Sequence, residues 1–195
     1  MSRKPRESKK KHTRVLYIGF DETNHLDKYN EEVRVAIFSP FEKDIYLRQL
    51  PKQRPFHHGL PNKHYSEPLE QICADMDYAF LTARIEDHHR LRGDFTTFTT
   101  ASLLQDMPYE NFKEVHLFFD GKMDFPERKN VIKVVSNLCD IDPEIIKVRA
   151  GKDFDRKYPI VNLADSLAYW LFYVNKLNTL EQLSQDPHRR RLIFP

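Results

Sequence analysis

The sequence predicts an α/β domain built on a mixed sheet covered by helices. Three observations carry that reading: two short apolar runs near the start that suit a hairpin, a later alternation of strand-like and helix-like segments, and one strongly apolar helix near the end. At 195 residues the chain suits one domain with tails or an insertion, long enough to bury a core without staples.

The elements follow in order. Val15-Leu16-Tyr17-Ile18-Gly19-Phe20 is rich in β-formers and reads as a buried strand ending at Asp21-Glu22-Thr23. Val33 to Phe38 reads as a second strand, joined to the first by a long hairpin loop. Tyr78 to Ile85 is the third strand, although its alanines also suit a helix. Asp94 is placed to cap a helix running to about Asp106, with Phe95, Phe98, Ala101 and Leu104 on one side. Val115 to Phe119 is an apolar run that stops at Asp120-Gly121. Asp124, with Pro126 in the first turn, starts a helix whose Val131, Val134, Val135 and Leu138 recur at helical spacing. Ile145 to Val148 is a short strand ended by Gly151. Val161 to Lys176 is apolar almost all round and therefore a buried helix. The order is β-β-β-α-β-α-β-α, which is the element order of the ribonuclease H-like fold.

Charge and composition divide the chain further. Residues 1–14 hold seven Lys or Arg against Glu7, a local charge of +6, and the remainder carries −4. Residues 1–13 are expected to be a disordered basic arm, either solubilising or suited to a polyanion. The domain is expected over 14–178, with an irregular insertion at 39–76 that holds five of the twelve prolines. Residues 179–195 are expected to form a C-terminal tail bearing a second basic cluster, His188-Arg189-Arg190-Arg191. No stretch approaches the roughly 18 apolar residues of a membrane helix, and no apolar region follows the basic start, so the expected location is cytoplasmic. Cys73 and Cys139 offer neither a disulfide framework nor metal-ligand spacing.

Three acids stand out. Strand alternation puts Asp21 on the side of Gly19, where there is room for a close neighbour, and sends Glu22 to the other side. Asp120 sits at the exit of a buried strand, where ligands of open α/β sheets collect. Asp165 lies within the most apolar helix, where a buried carboxylate needs a cation or hydrogen bonds; as an alternative, Asn162 caps that helix and Asp165 completes a capping box. Carboxylates held together repel, and a divalent cation reverses that penalty. Mg²⁺ or Mn²⁺ is the hard ion that oxygen ligands of this kind take, and it can activate water against a phosphodiester.

The strand end Phe20-Asp21-Glu22-Thr23, the strand end Phe119-Asp120 and the helix start Asn162-Leu163-Ala164-Asp165 resemble the landmarks of a ribonuclease H-like family, the domain-of-unknown-function 3800 family. Thr23 stands where that family commonly has Ser, and Asn162 where Gln is common. The resemblance spans residues 15–176. It implies metal-dependent nucleic-acid cleavage by Asp21, Asp120 and Asp165, with Glu22 as a fourth metal candidate. The fourth acid that such nucleases usually draw from the helix at 95–106 is not evident.

Other candidates are simpler. Lys152, after the last strand, is placed to reach a phosphate or to sit solvated in a loop. His25 could assist proton transfer or be a surface histidine. His57, His58 and His64, and separately His88 and His89, lack structural-zinc spacing and cysteine partners. With five glycines there is no phosphate-cradling loop, and no Ser-His-Asp arrangement is visible. The expected function is a metal-dependent phosphodiesterase acting on RNA or DNA. The alternative is a non-catalytic module of the same fold that binds nucleic acid or a protein partner. Convergence of the three aspartates discriminates the two.

Overall fold

A computed structural model of the chain describes residues 14–23, 31–40, 77–107, 109–174 and 188–194. The basic arm, nearly all of the Pro-rich insertion, residues 179–187, and with them His25, His57, His58, His64 and Cys73, lie outside the described residues.

Five strands form one sheet: β1 (Val15–Thr23), β2 (Glu31–Ser39), β3 (Tyr78–Arg84), β4 (Glu114–Asp120) and β5 (Ile146–Gly151). Their order across the sheet is β3-β2-β1-β4-β5. β1, β2 and β3 pair antiparallel, whereas β4 lies parallel to both β1 and β5. The parallel pairs need crossovers, and helices provide them. The helices are α1 (Ile85–Leu91), α2 (Phe95–Leu103), α3 (Phe125–Cys139), α4 (Phe154–Lys157) and α5 (Pro159–Tyr169). The last passes into a π-helical turn over Trp170–Val174.

Period-two alternation separates two cores. Leu16, Ile18 and Phe20 of β1 pack with Leu117 and Phe119 of β4 against Phe95, Leu103, Val131 and Val135 of α2 and α3. On the opposite face, Val33, Val35 and Phe118 pack against Ile160, Val161, Leu163 and Ala164 of α5. Helices on both faces explain why β1 and β4 are almost continuously apolar.

Local chemistry fixes the element ends. Asp124 caps α3 by accepting from the Glu127 amide at 2.8 Å, while Glu127 accepts from the Asp124 amide at 2.7 Å. That capping box is the one its sequence announces. Asp94 does not cap α2 with its side chain; its carboxylate accepts from Asn130 Nδ2 at 2.8 Å and ties α2 to α3 instead. Leu138, expected on the buried stripe, is 42% exposed, whereas Val131 and Val135 are buried. Between β3 and α2, where the sequence marks no element, the chain forms α1.

The described part of the C-terminal segment runs beside β3. The Phe80 amide donates to the His188 carbonyl at 3.0 Å, and the Arg190 amide donates to the Phe80 carbonyl at 2.7 Å. His188 stacks on Tyr78 at 4.1 Å, and Leu192 and Phe194 pack on the α2–α3 core. An exposed strand edge invites pairing with other chains, and this segment covers it.

Candidate active site

β1 and β4 run parallel, with Phe20 paired to Phe119 in the last rung of their ladder. Asp21 and Asp120 each follow that rung by one residue. They therefore leave neighbouring strands, roughly 4.8 Å apart, at the same rim and toward the same face. That face is the one α5 covers.

Asp165 reaches the rim through helix packing. Gly19 lies directly under the start of α5. A Cβ there would come within 2.6 Å of the Ile160 carbonyl carbon and 2.9 Å of the Val161 amide, so only glycine admits the helix. From Val161 to Asp165 the helix rises roughly 6 Å, and from Gly19 to Asp21 the strand rises roughly 6.6 Å. Asp165 is thereby carried along with Asp21. The helix begins at Pro159 with Tyr158 as its N-cap residue, so Asn162 is inside the first turns and buried. The capping-box alternative for Asn162 and Asp165 does not hold.

The electrostatics record this crowding. Burial first, then the charges of Glu22 and Asp165, and more weakly that of Asp120, push the Asp21 carboxyl well above the usual carboxylate range. The Glu22 amide, which donates to Asp21 Oδ1 at 2.8 Å, pulls the other way without prevailing. Asp120 is exposed and its Oδ1 accepts from the Phe154 amide at 2.7 Å, so the loop after β5 orients it. Among the described residues no three His, Cys, Asp or Glu side chains stand in a ready metal-holding cluster. The donor set at the rim is nevertheless all oxygen and strongly anionic, which suits a hard divalent cation in kind.

On the other face of the same rim the chain builds something different. Glu22 pairs with Arg34 across β1 and β2. The Arg34 guanidinium donates from Nε to Glu32 Oε1 at 2.6 Å, and its Nη2 lies 3.9 Å from Glu22 Oε1. It also sits 4.6 Å over the Phe95 ring and 3.4 Å from Thr99 Oγ1. Glu32 is only 2% exposed and also contacts His88 Nε2 at 3.3 Å. Burial pulls the Arg34 pKa down, yet Glu22 and Glu32 outweigh it and hold the guanidinium above its ordinary value. His88 is thus committed to Glu32 and stacked on Phe95, while His89 is exposed.

Between these groups a cleft of about 280 Å³ opens at the rim. Asp21, Glu22, Arg34 and Asp120 line it, together with Thr96, Thr97 and Thr100 of α2 and Asn130 of α3. Gly121 (φ 95°) turns the chain sharply after Asp120 and places the exposed Lys122 at its edge. Asp165 is not one of the lining residues and approaches Asp21 from the α5 side. Lys152 is exposed in the turn after β5, two residues before the amide that holds Asp120. Cys139 is a free thiol that burial, then Asp106, pushes up to about 11, which leaves it unreactive.

Arg34 and the threonine wall escaped the sequence reading. One signal was available: Glu32 and Arg34, two apart on a strand, share a face, and a hairpin register that pairs residue 22 with residue 34 brings Glu22 to the same arginine.

The chain is similar to one in the structure of a PCNA:RNase HII complex from Archaeoglobus fulgidus, with a TM-score of 0.57 and 16% identity over 88% of this chain and 79% of that one. It is similar also to ribonuclease H2 from Pyrococcus horikoshii OT3, with a TM-score of 0.60 and 16% identity over 88% of this chain and 76% of that one. The fold is therefore ribonuclease H-like, a mixed α/β sheet flanked by helices. No protein-family model matches the chain and no curated protein matches it in sequence, so the tie to the domain-of-unknown-function 3800 family remains a resemblance of short motifs.

Proposed function

We propose that the protein is a metal-dependent phosphodiesterase that cleaves RNA or DNA at the rim formed by β1, β4 and α5. The observation that carries this reading is the Asp21 carboxyl, pushed up by burial and then by the charges of Glu22, Asp165 and, more weakly, Asp120, the last two from two further elements. A carboxyl as crowded as Asp21 costs stability when charged, and such a cost is offset where a cation is the intended partner.

Asp21, Asp120 and Asp165 would hold Mg²⁺ or Mn²⁺. When bound, the cation supplies a hydroxide nucleophile and neutralises phosphate charge. The rest belongs to the chain. The Phe154 amide fixes the direction of Asp120. The Lys122 ammonium at the cleft edge attracts the phosphate backbone, and Lys152 extends that positive edge along the same rim. The polar cleft wall from α2 and α3 offers hydroxyl and amide groups to sugar and phosphate oxygens. The basic arm adds charge attraction that salt weakens.

A second reading, a non-catalytic module of the same fold that binds nucleic acid or a protein partner, is favoured by one observation: no three side chains form a ready metal cluster among the described residues. Asp165→Asn separates the two. As a ligand change it abolishes Mn²⁺-dependent cleavage of mixed RNA and DNA substrates, and with it the rise in melting temperature that Mn²⁺ produces, while the fold persists. If the unaltered protein shows neither cleavage nor a metal-dependent rise in melting temperature, the binding module is the better account.

A further inference from the structure

A rim of carboxylates can accommodate two divalent ions only if enough ligands face both. Glu22 would be the natural ligand for a second ion, since it is adjacent in sequence to Asp21. Its side chain instead lies on the α2 face, where the Arg34 Nη2 is 3.9 Å away. The wall opposite, helix α2, places Thr96, Thr97, Thr99 and Thr100 around the cleft and carries no acid along Phe95–Leu103. A second ion at that position would meet hydroxyls and a positive guanidinium.

We propose that Arg34 is the built-in cation of this site: its guanidinium, held by Glu32 and Glu22, takes the place of a second divalent ion, so that the rim binds a single one through Asp21, Asp120 and Asp165. The inference rests on the nuclease reading and makes it more specific. Three features fix Arg34 in that role. Glu32 is 2% exposed and grips Nε at 2.6 Å, so the head group cannot swing away without leaving a buried carboxylate. Phe95 lies under the guanidinium plane at 4.6 Å, and Thr99 Oγ1 stands 3.4 Å from Nη1. Arg34 also lines the cleft, beside Asp21 and Glu22, with its side chain 12% exposed. A permanently charged group held there lends fixed positive charge to the cleft that a phosphate would enter. Arg34 is accordingly a positioning and charge-balancing residue.

The test is a count of bound ions on the full chain, by Mn²⁺ titration in a calorimeter with free Mn²⁺ followed by electron paramagnetic resonance. Thermal melts verify that each variant is folded. The unaltered protein is expected to bind one Mn²⁺. Glu22→Gln should leave that number unchanged; losing its charge beside Asp21 weakens the affinity by less than the roughly ten-fold that follows from disturbing a metal's supporting groups. Arg34→Lys, which keeps the charge, should also bind one. In the double variant Arg34→Met with Glu32→Gln, the buried pair is replaced by neutral groups and the positive charge beside Glu22 is removed; a second, weaker Mn²⁺ should then appear. Two ions on the unaltered protein, a ten-fold loss in Glu22→Gln, or a double variant that still binds one ion would each overturn the proposal and leave the nuclease reading standing. No bound Mn²⁺ at all would overturn both.

Discussion

The two faces of the sheet rim solve the same electrostatic problem in opposite ways. On the α2 face, Glu22 and Glu32 lie close together and a cation from the chain itself, Arg34, neutralises them. On the α5 face the Asp21 carboxyl, pushed up by burial and by the charges of Glu22, Asp165 and, more weakly, Asp120, is left far above its ordinary range. A carboxylate answered by its own arginine is part of the architecture. One whose crowding remains is a place where the fold has kept electrostatic strain, and strain of that kind marks sites of chemistry.

The largest expected effect concerns the neutralised face. Arg34→Met leaves Glu32 buried without its cation, which typically costs about 3–5 kcal/mol. At roughly 2–4 °C per kcal/mol for a chain of this size, the melting temperature should fall by about 10 °C. Adding Glu32→Gln should restore much of that loss. If Arg34→Met melts like the unaltered protein, the two faces do not differ in the way described.

Next in size is the packing that unites the other face. Gly19→Ala forces α5 off β1, because the Ile160 and Val161 backbone occupies the space of the new methyl. Overpacking of this kind costs about 1–3 kcal/mol. It also moves Asp165 relative to Asp21, so Mn²⁺ affinity should drop although all three aspartates are present. Unchanged affinity at lowered stability would mean that Asp165 is not part of the site.

The smallest effect has a defined sign. Asp21 has a raised carboxyl pKa in the folded chain, so its favourable contribution is complete below the unfolded value of about 3.8 and is lost as pH rises through the folded value. Asp21→Asn removes that loss. Without metal it should melt higher than the unaltered protein at pH 7, with the gap closing as pH falls toward 4. A variant that melts lower at pH 7 would show that the Asp21 charge is already balanced. With Mn²⁺ present the order should reverse, since only the unaltered chain gains a ligand.

Much of this was legible in the sequence because the responsible signals are local. The runs Val15–Phe20 and Val115–Phe119 are apolar on both faces since helices cover both, and the Asp124–Glu127 box declares its helix within four residues. The apolar face of α5 likewise identified Asp165 as unusual, and Gly19 was legible as room for a neighbour. What was not legible depended on register. Alternation sends Glu22 to the side away from Asp21, but only the β1–β2 pairing reveals Arg34 opposite it. Asn162 reads as a cap because Pro159 and Tyr158, which actually open the helix, carry no side-chain cap bond to announce it. Asp94 has the chemistry of a cap but is drawn to Asn130, a residue 36 positions away. The short helix α1 was missed because His88, His89 and Arg90 give it no apolar period, and its hold on the fold comes from Glu32 and Phe95.

The central question is whether one divalent ion settles between Asp21, Asp120 and Asp165. A crystal of the full chain soaked in Mn²⁺, with anomalous scattering recorded above the manganese edge, answers that. The prediction is a single strong peak on the α5 face of the rim, contacted by all three carboxylates, with Arg34 still against Glu32 and Glu22. A peak on the α2 face coordinated by Glu22, or no peak at the rim in a crystal whose aspartates are open to solvent, would contradict it.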